Sequence, residues 1–230
     1  TIWGNNLYDY VSEPTLVNSK INWNKSQVKS FDLDILRYVK KPHQNNGGLK
    51  MLNGNIGKCV AKISAVKEEF RYIKEKALVF DNQEEVKKAY EKGILNRNVV
   101  IVVRNQGPKA NGMPELHSLT PILSNIQDLG FKVALLTDGR MSGASGKILA
   151  AIHVTLEAID DGVIGKIEDE DEIEIDANNG KLNIFIDISK RNNLSLCSNK
   201  SNSSFGRNIF KTLRMHSVSS EKGGGIRLID

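Results

Sequence analysis

Two runs constrain the fold before anything else: Val99-Val-Ile-Val-Val103 and Val133-Ala-Leu-Leu-Thr137. Each is too short for a helix and lacks the apolar–polar alternation of a sheet with one wet face. Such runs read as strands buried on both faces. Residues 77–80 form a third run of this kind. Helix signals fall between the runs. Asp81 with Glu84 forms a capping-box pattern, Val86, Ala89 and Tyr90 supply an apolar face, and Gly93 closes. Thr120 and Pro121 read as N-cap and first turn, Ile122, Leu123, Ile126 and Leu129 share one side, and Gly130 ends the helix. Ile173 and Ile175, then Leu182, Ile184, Ile186 and Ile188, alternate on either side of Asn178-Asn-Gly180, a β-hairpin pattern. The acidic run 168–172 ahead of it reads as a solvated strand edge rather than a metal site. Residues 198–204 read as a loop, and Ile209, Phe210 and Leu213 are spaced for a short amphipathic terminal helix.

At 230 residues with 40% hydrophobic and 26% charged side chains, the chain is one sizeable domain, or a domain with extensions, able to bury a core; disorder and collagen are excluded. No apolar run approaches a membrane span and no secretory signal is read. Two distant cysteines, Cys59 and Cys197, make neither a disulfide scaffold nor a four-cysteine zinc site, so a reducing, cytoplasmic setting is expected. A net charge of +5 suits anionic partners, nucleic acid or small phosphorylated acids, and equally suits a weakly basic, solvated surface. The first residue is Thr1, not Met, and the chain is expected to be part of something longer. Residues 1–46, rich in Asn, Lys and Ser with scattered anchors such as Trp3, Trp23, Ile35 and Leu36, read as an irregular lead-in.

Two segments concentrate residues with chemistry. Asn105-Gln-Gly-Pro-Lys-Ala-Asn-Gly-Met-Pro-Glu-Leu-His117 follows the Val99–Val103 strand, and its two glycines and two prolines make a rigid loop that a ligand can approach closely. It presents Lys109, Glu115 and His117; a carboxylate there suits a hard cation such as Mg²⁺, and a tight structural connection explains the loop equally well. Thr137-Asp-Gly-Arg-Met-Ser-Gly-Ala-Ser-Gly-Lys147 follows the Val133–Thr137 strand, with a helix expected to start near Ile148. Gly139, Gly143 and Gly146 permit a nest of backbone N–H groups for an anion, Arg140 and Lys147 add charge, and Ser142 lies in the middle. A plain glycine-rich turn remains an equal alternative. The segment is not a P-loop, because Met141 and Ile148 stand at required positions, nor a hydrolase elbow, because Arg140 replaces the first glycine. The four histidines have no metal-ligand spacing; His153, among apolar residues, reads as a hydrogen-bonded core histidine, and Cys59 as a small buried side chain.

These segments, together with Gly47-Gly-Leu-Lys, Asn53-Gly-Asn-Ile-Gly-Lys and Ala151-Ile-His-Val-Thr155, resemble the family of dihydroxy-acid and phosphogluconate dehydratases. The wording Lys-Ala-Asn-Gly-Met-Pro-Glu-Leu-His and Met-Ser-Gly-Ala-Ser-Gly-Lys is similar to its 6-phosphogluconate dehydratase branch. Leu149 and Leu156 stand where that branch usually has proline, and Asn105 replaces an aromatic residue. The resemblance implies an α/β fold, a swivelling mixed β-barrel with surrounding helices, that is the C-terminal domain of a longer enzyme. On that basis residues 1–46 are a lead-in from an N-terminal domain, 47–198 the barrel and 199–230 a polar loop and helical tail. Glu115 matches a Mg²⁺ ligand and Ser142 the serine that removes the C2 proton. Lys109, Arg140, Ser145 and Lys147 are the expected holders of the substrate's carboxylate or phosphate.

The implied reaction is a hydro-lyase step of gluconate metabolism in the Entner–Doudoroff pathway, converting 6-phospho-D-gluconate to 2-keto-3-deoxy-6-phosphogluconate. Mg²⁺ and an iron–sulfur cluster are the implied cofactors, the cluster's ligands lying in the N-terminal domain and not at Cys59 or Cys197. The expected partners are that N-terminal domain, a small phosphorylated sugar acid and, in the whole enzyme, a second copy; neither nucleic acid nor membrane is expected, since no aromatics interleave with the basic residues. Rival readings are a dehydratase of a non-phosphorylated sugar acid or dihydroxy acid, and a non-catalytic remnant that binds an anion or a protein.

Overall fold

The computed structural model describes residues 11–25, 30–142, 147–193 and 208–227. The chain forms two compact units, Thr1–Gly47 and Gly48–Asp230.

The second unit is a closed barrel of eight strands. In chain order these are β3 (Leu49–Asn53), β4 (Lys58–Lys62), β5 (Tyr72–Phe80), β6 (Val99–Val103), β7 (Val133–Thr137), β8 (Leu149–Thr155), β9 (Glu172–Asp176) and β10 (Lys181–Ile184); β1 (Ser12–Val17) and β2 (Lys20–Lys25) belong to the first unit. Around the barrel the order is β10-β3-β4-β8-β7-β6-β5-β9. Strands β5, β6, β7 and β8 are mutually parallel, whereas β4, β9 and the β3–β4 and β9–β10 hairpins supply antiparallel pairs. A mixed barrel with helices is thus what the resemblance implied.

The unbroken apolar runs are explained by two cores. Val100, Val102, Ala134 and Leu136 point into the barrel with Leu52, Ala61, Ile73, Ala151, Ile175 and Leu182. Their neighbours Val99, Ile101, Val103, Val133 and Leu135 point outward, beneath α1 (Gln83–Glu91) and α3 (Leu119–Asp128), against Val86, Leu123 and Ile126. Both faces are dry, which keeps the two runs apolar up to Thr137, the last residue of β7.

Both helices form one or two residues away from their expected starts. Asn82, not Asp81, caps α1: its Oδ1 accepts the Glu85 N–H at 3.0 Å, and its Nδ2 donates to Glu85 Oε1 at 2.9 Å. Asp81 is drawn to Arg104 instead. Helix α3 starts from Ser118, and the Thr120 hydroxyl donates to Met141 Sδ. Both helices end as expected, with Gly93 and Gly130 in the left-handed region and paired bonds back to the last turn. The helix expected near Ile148 is strand β8. Its alanines suit a helix, but the seat between β4 and β7 must be filled to close the barrel, and tertiary pairing overrides propensity.

The acidic run is also corrected. Asp171 is buried against Arg191, Glu170 pairs with Arg97, and the Asp169 carboxylate accepts the Val79 N–H, so the run stitches loop to strand instead of merely facing water. The terminal helix α4 (Lys211–Met215) is present, with Ile209, Phe210 and Leu213 exposed. Residues 198–204 lie outside the described residues. Among those described, no helix is long and apolar enough to cross a membrane.

The lead-in is not irregular throughout: β1 (Ser12–Val17) and β2 (Lys20–Lys25) form an antiparallel hairpin.

The barrel's weakest seam lies between β3 and β10, which share a single residue pair, Lys181 with Asn53. Asn55, in the β3–β4 turn, completes it: Oδ1 accepts the Ile184 N–H and Nδ2 donates to the Ile184 carbonyl, both at 2.8 Å. Gly54 precedes it because a Cβ there would stand 1.9 Å from the Leu182 carbonyl oxygen. Asn55→Ala removes two bonds across the seam and is expected to cost about 2 kcal/mol. Urea unfolding measures the loss, and faster hydrogen exchange at Ile184 locates it.

Candidate active site

Because β5 to β8 run in one direction, their C-terminal ends reach one rim, and each delivers a polar side chain there. Asp81 follows β5, Arg104 and Asn105 follow β6, Asp138 and Arg140 follow β7, and Glu157 follows β8. Loops at the carboxyl ends of parallel strands are where open α/β sheets build their sites.

Asp138 ties this rim together. Its carboxylate is fully buried and accepts N–H groups from Gln106 at 2.8 Å, Asn105 at 3.1 Å and Ala158 at 3.1 Å. One side chain thereby fixes the loops after β6, β7 and β8. Burial pushes its carboxyl above the ordinary range despite those donors. Asp81 makes an outer layer, accepting Arg104 at 2.8 Å and the Asn105 amide at 3.2 Å.

Glu157, also fully buried, lies under the turn α2 (Pro108–Asn111). Its Oε2 accepts the N–H groups of Lys109 at 3.1 Å and Ala110 at 3.4 Å, while Oε1 has no hydrogen-bond partner among the described residues. Gly107 is required here, since a Cβ would sit 2.2 Å from the Glu157 carboxylate. Burial first, then the charges of Asp138 and Asp160, push the Glu157 carboxyl up to about 7 against the two amide donors.

Beyond this support lies the pair the sequence singled out. Glu115 and Arg140 face each other in a short parallel bridge, with the Leu116 N–H donating to the Arg140 carbonyl at 3.1 Å. Glu115 Oε1 accepts the Ser142 N–H at 2.5 Å, and Oε2 lies 3.6 Å from Arg140 Nε. Ser142 is exposed, and Glu115 and Arg140 are partly open to solvent. A carboxylate, a serine and a guanidinium therefore share one patch of the rim. His153 adjoins it: its N–H donates to the Gly139 carbonyl, and burial first, then the Arg140 charge, lower its imidazole.

The two expected lysines are engaged by carboxylates. Lys109 Nζ is bound to Asp160 at 2.7 Å, and Lys147 Nζ to Asp128 at 2.7 Å. Ser145, with Gly143 and Gly146, lies outside the described residues.

The profile described as dihydroxy-acid/6-phosphogluconate dehydratase C-terminal matches residues 34–224. The chain belongs to this family. It is 42% identical over 226 residues to the phosphogluconate dehydratase of Escherichia coli K12, covering 97% of this chain and 38% of that protein. It is 45% identical over 230 residues to the phosphogluconate dehydratase of Rhizobium meliloti, covering 98% and 38%. It is 42% identical over 166 residues to the dihydroxy-acid dehydratase of Campylobacter lari, covering 70% and 29%. The chain thus spans about 38% of the length of the first two.

For a dehydratase C-terminal unit, the cofactors implied by the resemblance meet different receptions. Glu115 offers oxygen donors of the kind a hard cation takes, and no cluster of three His, Cys, Asp or Glu side chains exists among the described residues to complete a cage. It fits as one ligand of several. An iron–sulfur cluster does not fit the described residues: their one cysteine, Cys59, is buried in the barrel with its thiol pushed up to about 12.

Sequence reasoning missed Asp138 and Glu157. The first carried a readable signal, a carboxylate directly after a doubly buried strand; the second did not, since only the folded chain brings it under α2.

The Glu157 proton gives a pH test. The folded unit holds it up to about pH 7, whereas the unfolded chain releases it near 4.3. Stability contributed by the protonated group is complete below that lower value and is lost as pH rises through 7. Glu157→Gln is expected to abolish this fall, gaining roughly 2 kcal/mol on the parent between pH 5 and 8, measured by urea unfolding at each pH.

Proposed function

We propose that the chain is the catalytic C-terminal part of a phosphogluconate dehydratase, a cytoplasmic hydro-lyase that takes water from 6-phospho-D-gluconate to give 2-keto-3-deoxy-6-phosphogluconate. The observation that carries this reading is the juxtaposition of Glu115 and Ser142 on a rim prepared by Asp138. Relatives named phosphogluconate dehydratase match nearly the whole chain, while the Campylobacter lari dihydroxy-acid dehydratase matches 70% of it, which favours the phosphorylated substrate.

In this reading Ser142 removes the proton from C2, and Glu115 is one ligand of the Mg²⁺ bound by the whole enzyme. The bound cation neutralises the substrate carboxylate and so acidifies the adjacent C–H. Arg140, beside both residues, orients the carboxylate. Lys109 and Lys147 reach an anion only by exchanging Asp160 and Asp128, and Ser145 follows closely enough in sequence to join them. Loss of the C3 hydroxyl is assigned to the N-terminal part, because no described residue of this chain suits the implied cluster. The chain alone is therefore expected to be inactive, and the whole enzyme to work as a homodimer.

The experiment is turnover by the whole protein. Ser142→Ala is expected to lower kcat by about 10² to 10⁴ while leaving substrate binding within a few fold. Glu115→Gln is expected to raise the Mg²⁺ concentration needed for half-maximal rate. Retained turnover in Ser142→Ala would remove the serine from the role of base. Assays with unphosphorylated gluconate and a 2,3-dihydroxy acid separate the substrate classes.

A further inference from the structure

The hairpin of the first unit carries a surface that the proposed reaction does not use. Asn18 and Ser19, both at positive φ, make its two-residue turn, and the register pairs Pro14 with Trp23 and Leu16 with Ile21. Directly opposed residues point to the same side. One face of the ribbon therefore presents Pro14, Leu16, Ile21 and Trp23 together. The other presents Glu13, Thr15, Lys20, Asn22 and Asn24 with the single apolar Val17, and Asn24 Nδ2 donates to Thr15 Oγ1 at 2.7 Å. Yet the apolar face is open: Leu16 is 76% exposed, Trp23 67% and Ile21 63%. A two-stranded ribbon alone is marginal in water, and covering large apolar side chains stabilises it. A ribbon that gathers Leu16, Ile21 and Trp23 on one face, with Ser12 and Lys25 at its open end, has an apolar patch to cover.

The comparisons point to what covers it. The C-terminal family profile begins at Asp34, after the hairpin, whereas the whole relatives match 97% and 98% of the chain and leave too few residues unmatched to omit it. The hairpin is thus shared with whole dehydratases but stands outside their C-terminal family unit. We propose that the face formed by Pro14, Leu16, Ile21 and Trp23 docks onto the N-terminal part of the whole dehydratase, so that residues 12–25 are an element of that part's fold and not a linker. The inference rests on the reading of the chain as part of a longer dehydratase.

The test needs no turnover, so a failure of the catalytic reading leaves it standing. In the whole Rhizobium meliloti enzyme and in the 230-residue chain, hydrogen exchange is followed over the segment aligned with residues 12–25. Single cysteines are also placed at positions aligned with Leu16 and Ile21 on one face, and with Glu13 and Lys20 on the other, and maleimide labelling is read by mass spectrometry. The expected result is hairpin exchange slowed by roughly tenfold or more in the whole enzyme, with the Leu16 and Ile21 positions protected and the Glu13 and Lys20 positions labelled. In the 230-residue chain all four should label alike. Equal labelling of both faces, or fast exchange, in the whole enzyme overturns the proposal. So does protection of Leu16 and Ile21 in the 230-residue chain: if it is independent of concentration the face packs within the chain, and if it grows with concentration its partner is a second copy.

Discussion

The rim geometry depends on one buried carboxylate. Asp138 sits at the end of β7, where the next residues must leave the barrel, and it holds the first residues leaving β6 and those following β8. A charged group so deep is costly unless its lone pairs are filled. Three backbone amides fill them, and each belongs to a loop that would otherwise need another partner. The clamp therefore works in both directions: the amides make the burial tolerable, and the burial makes the amides immobile. Arg140 and Ser142 leave from the clamp itself, and Glu115 is met by them in the bridge to Arg140. The positions of serine and carboxylate thus follow from the barrel's own strands.

Much of this was legible in the chain. Val99–Val103 and Val133–Thr137 announced strands without a wet face, and the two cores explain why: alternate residues serve the barrel interior and the helix layer. Helix ends were read correctly where glycine marks them, because a left-handed residue has few substitutes. Helix starts were misread by a residue or two because Asp81 and Thr120 are good caps with better offers elsewhere, Arg104 in one case and Met141 in the other. Strand β8 was hidden for a related reason. Leu149-Ala-Ala-Ile carries helix propensity, and only the vacancy between β4 and β7 makes it a strand. The lysines show the same limit from the side of function: nothing near Lys109 or Lys147 in sequence names Asp160 or Asp128 as a partner.

The second unit closes without help, through the Asn55 seam and a core drawn from all eight strands. That self-sufficiency contrasts with its chemistry. The rim holds one candidate base and one candidate cation ligand, and the described cysteine is locked in the core. A folded scaffold with a partial donor set is what a site divided between two parts of a longer chain requires: each part can keep its own residues in place before the parts meet.

The division also answers an electrostatic difficulty. A serine is a useful base only when its alkoxide is stabilised, yet Glu115 lies against the Ser142 backbone and brings a negative charge. A like charge beside the hydroxyl disfavours its ionisation. Arg140 offsets part of this from 3.6 Å, but it is half exposed and so partly screened by water. In the proposed roles Glu115 would hinder Ser142 in the chain by itself and would help it if a cation occupied the carboxylate, because the field at the serine would then change sign. On this argument the residue that would suppress the proposed base in the isolated part would favour it if the other part completed a cation's ligand set, and proton abstraction would then be confined to the assembled enzyme.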